Sequence, residues 1–252
     1  MITEHRTLAK AIDCATIESY IVVSFMEHNV TYYNFPNFNE FLMARTTNKY
    51  LHEIICYQNN FDTKNIYANR KDGRLCFDFE IKEFPNINVE KWKLDVESII
   101  KQTSLVLYTN FDVAKIKFVW STSNSPGKIS KHLTVAGIWY ENWLPMSRHF
   151  YKHFENIWNN KFDYCHTDYF LDKYLIKPYA MLRFVGSVKP NGTDILFLDD
   201  ENIMFEDSMV RPRVPWKNSS EQTISRTGQT NLLNLNRRPK LKISDLCTRS
   251  KI

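Results

Sequence analysis

Apolar residues alternate with acids along Leu75-Cys76-Phe77-Asp78-Phe79-Glu80-Ile81, the two-residue period of a strand. Residues 51–57, 115–120 and 132–140 share its enrichment in apolar, aromatic and β-branched side chains and predict further strands. Helical spacing governs other stretches. Leu8, Ile12, Ala15, Tyr20 and Val23 predict a helix over residues 7–25. Trp92, Val96 and Ile99 predict a second over 86–104, and a third is expected over 145–158. Strands with helices between them predict an α+β domain, a mixed or antiparallel sheet flanked by helices.

A chain of 252 residues, 43% of them hydrophobic, can bury one sizeable core, so a single catalytic domain is expected. No stretch approaches the roughly 18–20 apolar residues that cross a bilayer, and the N-terminus lacks a charged segment leading into an apolar one. A soluble, intracellular protein with no membrane partner is expected. The five cysteines are scattered and form no C-x-x-C pair, which points to reduced thiols. With only six glycines there is no Gly-rich phosphate loop, so side chains must hold any nucleotide phosphates.

Charge is unevenly distributed. Residues 211–252 carry ten basic side chains against Glu221 and Asp245, an excess of +8, and the total of +5 leaves −3 over residues 1–210. Rich in Asn, Ser and Thr, this end has the composition of a mobile arm suited to phosphate backbones. The expected division is a catalytic domain over 1–205 and a basic, flexible tail over 206–252. The run Arg237-Arg238-Pro239-Lys240-Leu241-Lys242 reads equally as a nucleic-acid patch or a nuclear address.

Asp78 and Glu80, two apart on a strand, share one face while Phe77, Phe79 and Ile81 share the other. Paired carboxylates repel unless a cation neutralises them, and a hard divalent ion with oxygen ligands does so. A merely solvated strand face is the competing reading. A polar loop from Ser121 leads to Lys128, Ser130 and His132, which alternate and so present an ammonium, a hydroxyl and an imidazole, all anion-binding groups. Further on, Phe170-Leu171-Asp172 ends in an acid and is followed by Arg183 and Lys189.

These clusters, in this order, resemble the D-x-E, S-x-H and apolar-apolar-Asp motifs of the archaeo-eukaryotic primase superfamily. They are most similar to its primase-polymerase branch, in cellular or large-DNA-virus form. Arg74-Leu75 before the first motif, Lys128-Ile-Ser-Lys-His132-Leu in the second, and Arg183 and Lys189 after the third extend the likeness across about residues 50–190. The resemblance implies a primase-type core in which Asp78, Glu80 and Asp172 hold two Mg²⁺ or Mn²⁺ ions. It gives Lys128, Ser130, His132, Arg183 and Lys189 the incoming nucleotide. The implied activity is template-directed nucleotidyl transfer onto a 3′-hydroxyl, for primer synthesis in replication or damage tolerance. The implied partners are a single-stranded DNA template, NTP or dNTP, and, as the chain has no helicase motif, a separate helicase. A viral member would act in the host nucleus if its basic run is an address. Arg45 is a lesser candidate for a template or base contact.

The chain also departs from that branch. Its tail has only Cys247 and no histidine, so the usual C-terminal zinc module is missing. His149, His153, Cys165 and His166 are zinc-ligand types but lack tight ligand spacing, and zinc is not expected there. Two alternatives compete. Glu80-Ile81-Lys82 with Asp62 or Asp72 imitates a metal-dependent nuclease, and a catalytically inactive fold with a basic arm would simply bind single strands.

Overall fold

The computed structural model describes residues 1–16, 18–26, 29–55, 72–82, 87–125, 128–189, 194–212 and 221–225. In chain order its strands are β1 (Thr3–His5), β2 (Tyr20–Met26), β3 (Asn29–Phe35), β4 (Leu51–Ile54), β5 (Gly73–Lys82), β6 (Lys117–Ser125), β7 (Lys128–Tyr140), β8 (Leu171–Asp172), β9 (Met181–Arg183), β10 (Leu196–Leu198) and β11 (Gln222–Ile224). The helices are α1 (Leu8–Asp13), α2 (Phe38–Ala44), α3 (Val89–Leu107) and α4 (Trp143–Lys161). The fold class is α+β, with two sheets ordered β1-β3-β2-β4-β9 and β10-β6-β7-β5-β8. All pairs are antiparallel except β11, which joins β7 in parallel.

Both long helices follow from their sequence. In α3, Trp92, Val96, Ile99 and Ile100 are buried on one face, and the Asn88 side chain accepts from the Lys91 amide to cap its start. In α4, Trp143, Met146, Phe150, Phe154 and Trp158 form the buried stripe. Both pack on the apolar face of β5, where Phe77 stacks on Tyr151 at 4.7 Å between ring centroids and Phe79 meets Trp92 edge-on at 5.1 Å. A second core under the first sheet is built from α1, α2 and β2.

The helix expected over 7–25 stops at Asp13. Tyr20, Ile21, Val22 and Val23 are all buried, so β2 is covered on both faces and its apolar run has no period to distinguish strand from helix. The polar loop expected from Ser121 is instead the end of β6, which pairs with the start of β7 as a hairpin. Of the strand expected over 51–57, residues 56 and 57 lie outside the described residues, as does Asp62.

The largest correction concerns the C-terminal boundary, since packed structure continues past residue 205. Val210 and Arg211 are buried, their backbone amides donate to Glu53 at 2.9 and 2.5 Å, and β11 adds to the second sheet. Arg74, 1% exposed, ties this segment down. Its guanidinium donates to the carbonyls of Glu206 (2.8 Å), Asp207 (3.3 Å) and Met209 (3.1 Å) and pairs with Glu221, while its own amide donates to Val210. β11 takes over beside β7 where β6 ends, just past Gly137. There φ is +99° and an added Cβ would lie 2.4 Å from the Lys115 carbonyl, so only glycine fits. Residues 226–252, with the basic run 237–242, lie outside the described residues.

Candidate active site

Register in the second sheet decides which polar groups meet. Asp78 on β5 lies opposite Asp172 on β8 to one side and His132 on β7 to the other, and Glu80 lies opposite Ser130. Laterally paired residues project to the same face, so these five share one surface, opposite the Phe77–Phe79 side. Ser121 and Ser123 on β6 pair with His132 and Ser130 and extend the polar rows. Lys128 begins β7 and its ammonium pairs with Glu80.

The first sheet supplies the other wall. Arg183 ends β9 opposite His52 on β4 and is buried. Its guanidinium donates to the Asp194 carbonyl at 3.3 Å, and its charge favours the ionised form of Asp78. Lys189 follows on the segment that returns to β10, near enough to Lys128 and Arg183 for all three positive charges to interact. All eight residues singled out from the sequence, Asp78, Glu80, Asp172, Lys128, Ser130, His132, Arg183 and Lys189, therefore gather where the two sheets meet. Farther along the same face of β5 and β7, Thr134 donates to the Ser208 carbonyl at 2.7 Å, so the C-terminal segment covers that end.

Burial, then the charges of Asp172 and Glu80, push the Asp78 carboxyl up to about 7, against the pull of Arg183 and Lys128. Burial, aided by Arg183, holds His132 well below the usual imidazole range, so its 3.6 Å approach to Asp78 is a polar contact between a neutral ring and a carboxyl, not an ion pair. His52 is likewise pushed down to about 4 by burial. Its Nδ1 lies 3.1 Å from the Tyr50 carbonyl, which fixes that nitrogen as the N–H and leaves Nε2 as an acceptor. Burial, then Lys128 and Arg183, lowers Lys189.

The carboxylates suit a hard divalent cation. Asp78 Oδ1 is buried with no hydrogen-bond partner and has two further acids beside it, the situation a bound cation relieves. Among the described residues no three of His, Cys, Asp and Glu are drawn tightly together. Glu80 leans to Lys128, and Asp172 Oδ1 accepts from the Tyr174 amide at 2.7 Å. The donors are adjacent, with side-chain turns needed to close them on an ion.

A pH dependence follows. With its folded pKa raised above that of the unfolded chain, Asp78 contributes stability that is full below about pH 4 and lost as pH rises toward 7. In chelator, melting temperature should fall across that window, and Asp78→Asn should remove this part of the slope and raise the melt near pH 7. Parallel profiles for the two proteins would contradict the assigned burial.

The structure separates the histidine-cysteine cluster. His149 and His153 sit side by side on α4, ring centroids 4.6 Å apart, while Cys165 and His166 lie beyond the helix end, where Trp158 donates to the Cys165 carbonyl. Arg45 stacks on Phe205, 3.6 Å from the ring centroid, and donates to the Val185 carbonyl. Sequence reading missed three residues. Ser121 and Ser123 were legible as polar residues two apart, whereas nothing in the sequence around His52 marked it.

Among the described residues no helix is long and apolar enough to cross a membrane. No known protein-family profile matches the chain. It is similar to two uncharacterized proteins of Acanthamoeba polyphaga mimivirus. One is 35% identical over 189 residues, covering 72% of this chain and 50% of the relative. The other is 31% identical over 219 residues, covering 76% and 45%. The chain thus spans about half the length of the relatives it matches.

Proposed function

We propose that this chain carries a template-directed nucleotidyltransferase centre of the primase-polymerase type. The observation that supports it most is the meeting of eight residues from five separate stretches of sequence on one polar patch between two sheets, three acids and three cations among them. Asp78, Glu80 and Asp172 would hold the two Mg²⁺ or Mn²⁺ ions, which lower the pKa of the attacking 3′-hydroxyl and stabilise the departing pyrophosphate. Lys128, Arg183 and Lys189 neutralise the triphosphate without competition from a glycine loop. Neutral His132 and Ser130 orient phosphate or sugar by hydrogen bonds. Deoxyribonucleotides and ribonucleotides, primed and unprimed strands, are all substrates this chemistry admits, with single-stranded DNA as template and a helicase as a partner. For a viral member, action in the host nucleus belongs to the same reading.

The test is incorporation of labelled nucleotides on a single-stranded template with Mg²⁺ or Mn²⁺, with and without primer. Template-dependent products are expected. Lys128→Ala and Arg183→Ala should each weaken nucleotide binding by about tenfold or more, since a charge-assisted contact contributes roughly 1.5–3 kcal/mol. No product with either metal, primed or unprimed, would overturn the reading.

A further inference from the structure

His149 and His153 stand four residues apart on α4, so one turn of helix sets them side by side, with ring centroids 4.6 Å apart. The residue after each, Phe150 and Phe154, packs on Phe77, which places α4 on the face of the second sheet opposite Asp78 and Glu80. Both imidazoles are partly buried. Burial, then neighbouring charge, lowers both from the usual imidazole range, so at neutral pH each ring is uncharged and carries a lone pair. Among the described residues neither ring has a hydrogen bond or an ion pair, and Nε2 of His149 is buried without a partner. His52, His132 and His166 differ, with Tyr50, Asp78 and Asp168 beside their nitrogens. A buried polar nitrogen left unsatisfied costs free energy that a ligand returns.

We infer that His149 and His153 form a two-histidine site for a late first-row divalent ion of the zinc and copper class, with water in the remaining positions. Two histidines at i and i+4 on one helix face have the spacing with which a helix chelates zinc. Imidazole is the donor such ions take, whereas Mg²⁺ and Mn²⁺ prefer carboxylate oxygens, so the site is separate from Asp78, Glu80 and Asp172 in both place and ligand. Cys165 and His166, beyond the helix end, take no part, and the site is open rather than a closed four-ligand centre. Lys152 is exposed, so solvent screens its charge from the ion. An ion held there clamps one turn of α4 to the next beneath the phenylalanines that support β5.

The test is titration calorimetry of the whole chain with zinc chloride, in excess Mg²⁺ to occupy the carboxylates, for wild type, His149→Gln, His153→Gln and the double variant. Melting temperature is measured with and without zinc. Wild type should bind zinc and melt higher with it, since an ion that binds only the folded helix stabilises it. Each single variant should lose about tenfold or more in affinity, because the second donor of a chelate acts at the high effective concentration the helix sets. The melting shift on adding zinc should disappear with it, and copper(II) should bind wild type more tightly than zinc. Histidines that only pack would give variants that melt lower without zinc yet keep the wild-type shift, which overturns the site. Zinc bound as tightly by the double variant as by wild type places the ion elsewhere and overturns it too, as does a wild type that binds none. If one single variant fails to fold, the other decides. Nucleotide incorporation enters none of these readouts, so the site and the enzymatic reading stand or fall separately.

Discussion

Asp78→Ala, Glu80→Ala and Asp172→Ala should each lower template-directed incorporation by at least about a thousandfold, roughly 4 kcal/mol of transition-state stabilisation. Asp78 is opposite Asp172 in register and Glu80 is two residues along the same face, so each removes one of a set of acids that neutralise a cation together. Groups that act as a unit are not additive, and the Asp78/Asp172 double variant should be hardly worse than either single one. Folding should survive. The charge on Asp78 is disfavoured by burial and by its acidic neighbours, so losing it costs little, and Glu80 and Asp172 are partly exposed. Strand affinity should persist, which separates an enzyme from a pure binding protein. A variant that keeps more than about a tenth of wild-type incorporation, a loss under about 1.4 kcal/mol, would remove its residue from the cation-binding set.

The layout of the candidate site was legible where a local period carried the information. Alternation along β5 told which side chains share a face, and because β5 and β7 pair without slippage from Leu75 to Lys82, residues named in separate stretches fell into lateral rows. The single bulge, between Arg74 and Leu75, comes before the acids and leaves their facing intact. The stripes of α3 and α4 were readable for the same reason. Buried positions without a period were not. Tyr20 to Val23 has no polar face to set its phase, and His52 gains its importance from Arg183, 131 residues later, through a pairing no local pattern encodes. Composition misled most at the C-terminal end. Arg211 and Glu221 count as an arm's charges in the sequence, yet both are held in the folded domain. A truncation meant to test the basic arm should therefore begin after residue 225, because cutting at 210 also removes β11 and the partner of Arg74.

Arg74→Ala should destabilise the domain by about 3–5 kcal/mol, the range for removing one partner of a buried ion pair. The side chains of Arg74 and Glu221 are only 2% and 4% exposed, so water cannot take the place of the lost guanidinium. Three carbonyls, those of Glu206, Asp207 and Met209, lose a donor at the same time, which loosens the segment whose amides at Val210 and Arg211 satisfy Glu53. The cost comes chiefly from the stranded carboxylate, so replacing both partners by apolar residues, Arg74→Met with Glu221→Leu, should cost less than Arg74→Ala alone. Urea unfolding of the three proteins gives the comparison. The result also bears on what Arg74 is for. Although it stands four residues before Asp78, its side chain is spent on the C-terminal segment, so Arg74→Ala should lower stability while the fraction still folded keeps its affinity for nucleotide. Wild-type unfolding together with lost nucleotide binding would reverse that assignment and move Arg74 into the site.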